Sequence, residues 1–353
     1  MAHYNCNQVG RKSAKVFAAR VIAESIPVKS VSIVQTNRLH ITDFCRVRKR
    51  VSVYATRQNF LTFFSLLSMG GVSPATVVAQ TNLTLRIGLV TRVNALSSAA
   101  SIARGVQLGV AEAQATATLF GGSVLLSEES VTGTAESAAA RLLSERKVQV
   151  LISSTAQDAD ALSRFADKHA LLFFNAASRS STLRAACRRH TFHVEASDSM
   201  YSSAMRRTAP GADSAVLWAP SLEKYGASQI NGRFRTRYHL PMDGSAWAGW
   251  AAVKIAAEAA LRARSTAAPA LISYLEASST SFDGHKGWPL SFRSADHQLR
   301  QPLYVVARSP QTAAPTIREV PQLSSLAGAG ANPIHLLDQL MPRTRSCGWV
   351  GRE

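Results

Sequence analysis

LISSTAQDADALSRFADKHALLFFNAASRSSTLR (151–184) places two short apolar runs on either side of one amphipathic segment. VQVLIS (148–153) and LLFFN (171–175) have the length and composition of strands buried on both faces. Between them, Leu162, Phe165 and Ala166 share one side of a helix predicted over Asp158–Lys168. Strand, helix and strand at this spacing form a β-α-β unit, whose two strands run parallel.

The same alternation extends toward the N-terminus. LRIGLV (85–90) reads as a first strand, followed by Ile102, Val106, Val110 and Ala113 at helical spacing. SVLLS (123–127), behind the turn pair Gly121-Gly122, is a second strand. Thr134 then caps a helix carrying Ala138, Ala139, Leu142 and Leu143 on its apolar side. Four such repeats predict an α/β fold with a doubly wound parallel sheet.

Beyond about Arg179 the regularity weakens. FHV (192–194) and AVLWAP (215–220) read as strands, and Asp243–Arg264 as an Ala-rich helix burying Trp247, Trp250 and Ile255. LISYL (271–275) continues in a helix, while WPLSF (288–292) and PLYVVA (302–307) look like strands. The Pro, Ala, Ser and Gly content of 308–353 reads as a disordered tail.

RQNFLTFFSLLSMGGVSPATVVAQT, from Arg57, has the basic residue, apolar run and small-residue exit of a secretory signal. A membrane span needs about 20 apolar residues, and this run is too short for one. Cleavage is expected near Ala79, which makes 57–79 a signal peptide and the mature protein periplasmic. Residues 1–56 hold basic runs such as Arg46-Val47-Arg48-Lys49-Arg50 and little that would pack. They read as a disordered basic leader or as the product of a mis-assigned start, with translation beginning near Val51 or Val53. Of a net charge of +18, residues 1–58 contribute +9, from eleven Lys or Arg against Glu24 and Asp43. The remainder has no basic stripe interleaved with aromatics, so nucleic acid is not the expected partner. Four cysteines occur, with no CxxC pair, and only Cys187 and Cys347 follow the expected cleavage point. Two cysteines so placed suggest no disulfide framework.

Ligands in open α/β sheets bind beyond the carboxyl ends of the strands. At the third end stand Ser153, Ser154 and Thr155, directly before the predicted helix, where free amides and hydroxyls favour an anionic head group. At the fourth end stand Ala177 and Ser178, and at the first Thr91 and Arg92. Plain N-capping would use the same Ser and Thr residues. No nucleophile elbow, P-loop or GxGxxG is present, so catalytic residues and a bound cofactor are not expected. Asp283, His285, Asp296 and His297 lack metal-ligand spacing, and turn chemistry around Gly284 accounts for Asp283. Arg184, Arg188, Arg189 and His190 read as a solvated face.

Export signal, β-α repeats and the SST turn together resemble the type I periplasmic binding proteins, in particular the leucine/branched-chain amino-acid binding family. FHVEASDSM (192–200) resembles that family's crossover out of its first lobe. FDGHKGWPLSFRSADHQLRQPLYVV (282–306) is similar to the C-terminal signature of a substrate-binding subgroup associated with PQQ-dependent alcohol oxidation. The resemblance implies a solute-binding protein that is not an enzyme and works with an ABC transporter membrane permease. It would close two lobes on a small amino-acid-like or carboxylate ligand held by Ser153, Ser154, Thr155, Ala177, Ser178 and Arg92. On this reading 80–198 is the first lobe, and 199–307 completes it and adds fragments of a second. Most of the second lobe is missing between FHVEASDSMYSSAM and ADSAVLWAP, where Arg206–Gly211 bridges the gap. Such a loss would leave the strands within 288–307 without partners and weaken closure. The alternative is a cytoplasmic α/β enzyme or ligand-sensing regulator with a basic N-terminal arm. Export predicts periplasmic protein whose N-terminal sequence begins near Gln80. Cytoplasmic full-length protein, or a natural tryptic peptide from Ser13–Arg50, contradicts the export and late-start expectations respectively.

Overall fold

The computed structural model describes residues 82–93, 97–208, 212–308, 315–322, 332–342 and 347–348. The expected leader (1–56) and signal peptide (57–79) lie outside the described residues.

Strands β1 (Thr84–Thr91), β2 (Ser123–Ser130), β3 (Val150–Ser153), β4 (Leu172–Asn175) and β5 (Thr191–His193) form one parallel sheet in the order β2-β1-β3-β4-β5. Helices α1 (Ser97–Leu119), α2 (Ala135–Arg146), α3 (Ala159–Lys168) and α4 (Ser181–Ala185) connect them. The strand sequences alternate between two buried faces. Ile87, Leu89, Val150, Ile152, Leu172 and Phe174 face one apolar layer, while Val90, Leu151 and Phe173 face α2 and α3. Thr134 caps α2 as expected, its hydroxyl accepting from the Ser137 N–H.

The rest of the chain covers the first layer. After β5 come α5 (Asp198–Arg206), β6 (Ser214–Val216), α6 (Ala227–Tyr238), α7 (Gly244–Ala263) and α8 (Ala268–Glu276). Asp243 caps α7 through the Ala246 N–H, and Trp247, Trp250 and Ile255 are buried as expected. Helix α7 lies directly on α1. A Cβ on Gly105 would sit 1.9 Å from the Ala246 carbonyl oxygen, and one on Gly249 2.4 Å from that of Ile102. The two backbones therefore touch where side chains would normally separate them.

Two antiparallel three-stranded sheets close the C-terminal half. Strands β7 (Phe282–Asp283), β8 (Pro289–Phe292) and β9 (Leu299–Arg300) form an antiparallel sheet. Strand β10 (Leu303–Arg308) pairs with β6 on one side and with β11 (Pro315–Val320) on the other. The strands within 288–307 thus have partners, contrary to the expectation drawn from a missing second lobe. Between β8 and β10, the His297 carbonyl accepts from the His193 N–H at 2.9 Å, so residues 297–298 run beside β5 and extend the parallel sheet. Lys286 is fully buried; its ammonium donates to the Leu217 carbonyl (2.8 Å) and Gln301 Oε1 (2.9 Å) and lies 3.8 Å from the Trp247 ring centre. Burial pushes that amine well below its ordinary range.

Two further expectations are corrected. The disordered tail expected over 308–353 contains regular structure among its described residues: β11 pairs along β10, and α9 (Pro333–Asp338) is anchored by an Arg300–Asp338 ion pair at 2.7 Å. Composition misled because β11 is an exposed edge strand and needs little apolar sequence. Cys187 and Cys347 are joined in a disulfide across a sequence separation of 160, which their spacing could not disclose.

Replacing Gly105 with Ala should destabilise the fold by about 3 kcal/mol, the upper end of overpacking penalties, as read by urea denaturation. Gly232→Ala should do the opposite. A Cβ there meets nothing within 4 Å, and removing a helix-interior glycine stabilises by about 0.5–1 kcal/mol. Breaking the disulfide by Cys187→Ser with Cys347→Ser should cost about 2–4 kcal/mol in the same assay.

Candidate functional site

The strand order reverses at β1, so the loops after β1 and β3 diverge and open a crevice at the carboxyl edge of the sheet. The residues singled out from the sequence all lie on this edge, after three adjacent strands. Their chemical state differs from what the sequence suggested.

Arg92 has its charge paired within the protein. Its Nε and Nη2 donate to both oxygens of Asp158 at 2.7 and 2.6 Å, a bidentate pair that spans the crevice. The Thr155 hydroxyl donates to the same carboxylate at 2.5 Å. Burial would raise the Asp158 carboxyl, but the Arg92 fork and the Thr155 hydroxyl outweigh it and hold the group below its ordinary range.

Ser153 is also committed. Its hydroxyl donates to the Thr155 carbonyl at 2.7 Å and accepts from the Thr155 N–H at 3.2 Å. Helix α3 begins only at Ala159, and its N-cap Asp158 makes no side-chain cap bond. The expected anion site directly at the helix start is therefore displaced by a turn, which Ser153 and Asp158 organise. Ser154 is different: its N–H bonds the Val90 carbonyl at 3.0 Å, and its hydroxyl has no partner among the described residues.

At the β4 end, Asn175 does the positioning. Its Oδ1 accepts from the N–H groups of Ala177 (3.3 Å) and Ser178 (2.8 Å), and its Nδ2 donates to the Ser178 carbonyl at 2.7 Å. That amide also faces Nδ1 of His193 at 3.2 Å, an imidazole kept neutral by burial and by the nearby Arg184 charge. An Asn at a strand end ahead of small residues is a turn signal, and read as such it would have found this residue. The Ser178 hydroxyl accepts from the Ser180 N–H at 3.3 Å and keeps its own proton to donate. Ala177 is half-buried and presents only a methyl group.

Beneath these loops sits a network that sequence reasoning missed. Arg184 is buried rather than part of a solvated face. Its Nε donates to Gln298 Oε1 (2.7 Å), Nη1 to the Ser178 and Ser180 carbonyls (3.2 and 2.9 Å), and Nη2 to the Glu195 carbonyl (2.6 Å). Glu195, just past β5, is buried; its Oε1 accepts from the Tyr201 hydroxyl at 2.6 Å and the Ala196 N–H at 3.0 Å. Burial pushes the Glu195 carboxyl up, only partly offset by Tyr201 and the nearby arginines. Arg179 lies over the Tyr201 ring at 4.1 Å. The carboxyl edge thus offers two donor hydroxyls, small residues and an arginine-lined flank. That is equipment for holding a small polar solute.

No protein-family model and no curated protein matches the chain. Solved structures do. A branched-chain amino-acid transporter substrate-binding protein from Streptococcus pneumoniae, in complex with isoleucine, aligns with a TM-score of 0.55 at 14% identity, covering 67% of this chain and 99% of that one. A leucine-binding protein from Thermotoga maritima aligns with a TM-score of 0.53 at 12% identity, covering 69% and 100%. A solute-binding protein of an ABC transporter from Rhodopseudomonas palustris, in complex with 3,4-dihydroxybenzoic acid, aligns with a TM-score of 0.55 at 9% identity, covering 67% and 95%. At such identities the likeness speaks of fold alone. Together with the strand order and the two helical layers, it establishes that the chain has the type I periplasmic binding protein fold.

Proposed function

We propose that the chain is the solute-binding component of an ABC importer. It holds a small amino-acid-like or carboxylate ligand at the carboxyl edge of its parallel sheet. The observation that carries this reading is the pairing of the Ser154 and Ser178 hydroxyls, on adjacent strand ends, with hydrogen-bonding capacity left over. Ser153 and Thr155 act one step behind, by shaping the turn that presents Ser154. Arg92 acts likewise, by locking that turn to β1 through Asp158. The solved relatives support the ligand class, because their complexes hold isoleucine and a dihydroxybenzoate.

Export fits the Cys187–Cys347 disulfide, since such bonds persist in oxidising compartments. The partner on this reading is the membrane permease of the importer. A shortened second lobe remains part of the proposal, with the C-terminal strands completing the first lobe.

A ligand that binds only the native state raises the melting temperature. Isoleucine, leucine, 4-hydroxybenzoate and 3,4-dihydroxybenzoate are the first probes for a thermal-shift measurement. A rise of several degrees with one class supports the reading, and a flat response to all four contradicts it. Ser154→Ala should weaken the responding probe by about tenfold, about 1.4 kcal/mol, without changing the melting temperature of the unliganded protein.

A further inference from the structure

Three arginines stand at the carboxyl edge, and their hydrogen bonding separates them. Arg92 is paired side-on with Asp158 through Nε and Nη2, so its charge is already matched by a carboxylate. Arg184 is buried and its three nitrogens are all spent, on three carbonyl oxygens and Gln298. Arg179 immediately follows Ser178 in the β4 loop, and its side chain is 51% exposed. It makes no side-chain hydrogen bond among the described residues. Its nearest charge partner is Glu195, with Nε 3.7 Å from Oε1, beyond hydrogen-bond reach. That oxygen is already taken by the Tyr201 hydroxyl and the Ala196 N–H.

Arg179 is nevertheless held in place. The guanidinium lies over the face of Tyr201, and that ring is itself pinned because its hydroxyl donates to Glu195. The cation–π contact holds the guanidinium without consuming any of its N–H donors, and leaves both Nη groups for an acceptor from outside. A planar fork so presented matches a carboxylate, which accepts two parallel N–H bonds. The backbone of Arg179 is fixed as well: its carbonyl accepts from the Asp198 N–H at 3.2 Å, at the start of α5.

Building on the solute-binding reading, we infer that Arg179, rather than Arg92, is the cation that recognises the ligand's carboxylate, while Tyr201 and Glu195 position it. The hydroxyls of Ser154 and Ser178 then serve the remaining polar groups of the solute. The buried Glu195 carboxyl keeps the guanidinium from swinging into solvent but satisfies none of its hydrogen bonds. A carboxylate docking on the Nη groups gains charge-assisted bonds that no protein group supplies. Neutral solutes of the same shape gain nothing from Arg179.

The test uses the full chain and isothermal titration calorimetry with isoleucine and 4-hydroxybenzoate, each beside its primary amide. Wild type should bind an acid and bind the matching amide at least about tenfold more weakly. Arg179→Gln should lose that preference and bind the acid at least about tenfold more weakly, with its unliganded melting temperature close to that of wild type, because the side chain is half in water. Arg179→Lys, which keeps the charge but not the fork, should fall between them. The inference is overturned if Arg179→Gln binds the acid as tightly as wild type, or if amide and acid bind wild type equally. A wild type that binds neither acid overturns the inference and, unlike those two results, the carboxylate reading of the site with it.

Discussion

Taking the Arg184 guanidinium out of water carries a desolvation cost of several kcal/mol, which only a full set of acceptors can offset. The chain supplies that set from three distant segments: the β4 loop through Ser178 and Ser180, the β5 exit through Glu195, and the C-terminal half through Gln298. Burial lowers the group to about 10, against the opposing pull of Glu195, Asp296 and Asp198, so it stays charged at neutral pH. Gln298 in turn donates to the carbonyls of His193 and Glu195 at 3.1 Å each. The strand ends that carry the candidate site are thus tied to the extra segment beside β5. None of these carbonyls could change partner without leaving a buried charge unsatisfied. The carboxyl edge is rigid for that reason, and its few uncommitted donors stand out against it.

A second constraint sets the thickness of the layer below. Helix α1 approaches α7 until backbone meets backbone at Gly105 and Gly249, and a ring of small residues, including Ala246, Ala252 and Ala256, keeps the approach close. Close approach lets the Trp250 indole N–H reach Glu112 on α1 at 2.8 Å. It also brings Trp247 within 3.0 Å of the Gly284 carbonyl in the β7–β8 turn. The Ala-rich composition of α7 therefore has a geometric cause. Larger side chains would push the C-terminal half away from the sheet it extends.

The strands and helices of residues 84–175 were legible in the sequence because each obeys one local period. Apolar runs such as LRIGLV and LLFFN, and the 3.6-residue spacing of Leu162, Phe165 and Ala166, need no distant partner to be recognised. The same local logic found α7, β8 and β10, but not the two-residue strand β9. It failed at residues 315–320, where an edge strand pairs along β10 with little apolar sequence of its own. It failed again for the disulfide, whose halves lie 160 residues apart. At the site, the loops marked in the sequence lie on the carboxyl edge of the sheet, but the hydrogen bonds among their residues were not legible. Arg92 and Asp158 are 66 residues apart, and nothing local marks them as a pair. Arg184 sits among Arg188, Arg189 and His190 and shares their composition, yet only its own position brings it under Ser178.

That last contrast shows how the fold sorts identical side chains into different work. Arg92, Arg179 and Arg184 carry the same charge at the same edge, and what separates them is the supply of acceptors around each. Where a carboxylate stands within reach, as Asp158 does, the arginine becomes a brace between loops. Where backbone carbonyls converge, as they do around Arg184, it becomes an internal scaffold. At Arg179 neither arrangement holds: the nearest carboxylate oxygen, Glu195 Oε1, is 3.7 Å away and already accepts from Tyr201 and Ala196, and the surface beneath the guanidinium is an aromatic face. A ring attracts the cation without accepting along the plane of its N–H groups. Orientation and hydrogen-bonding capacity are thereby decoupled, which is the physical condition for a side chain held ready for a partner that the chain itself does not provide.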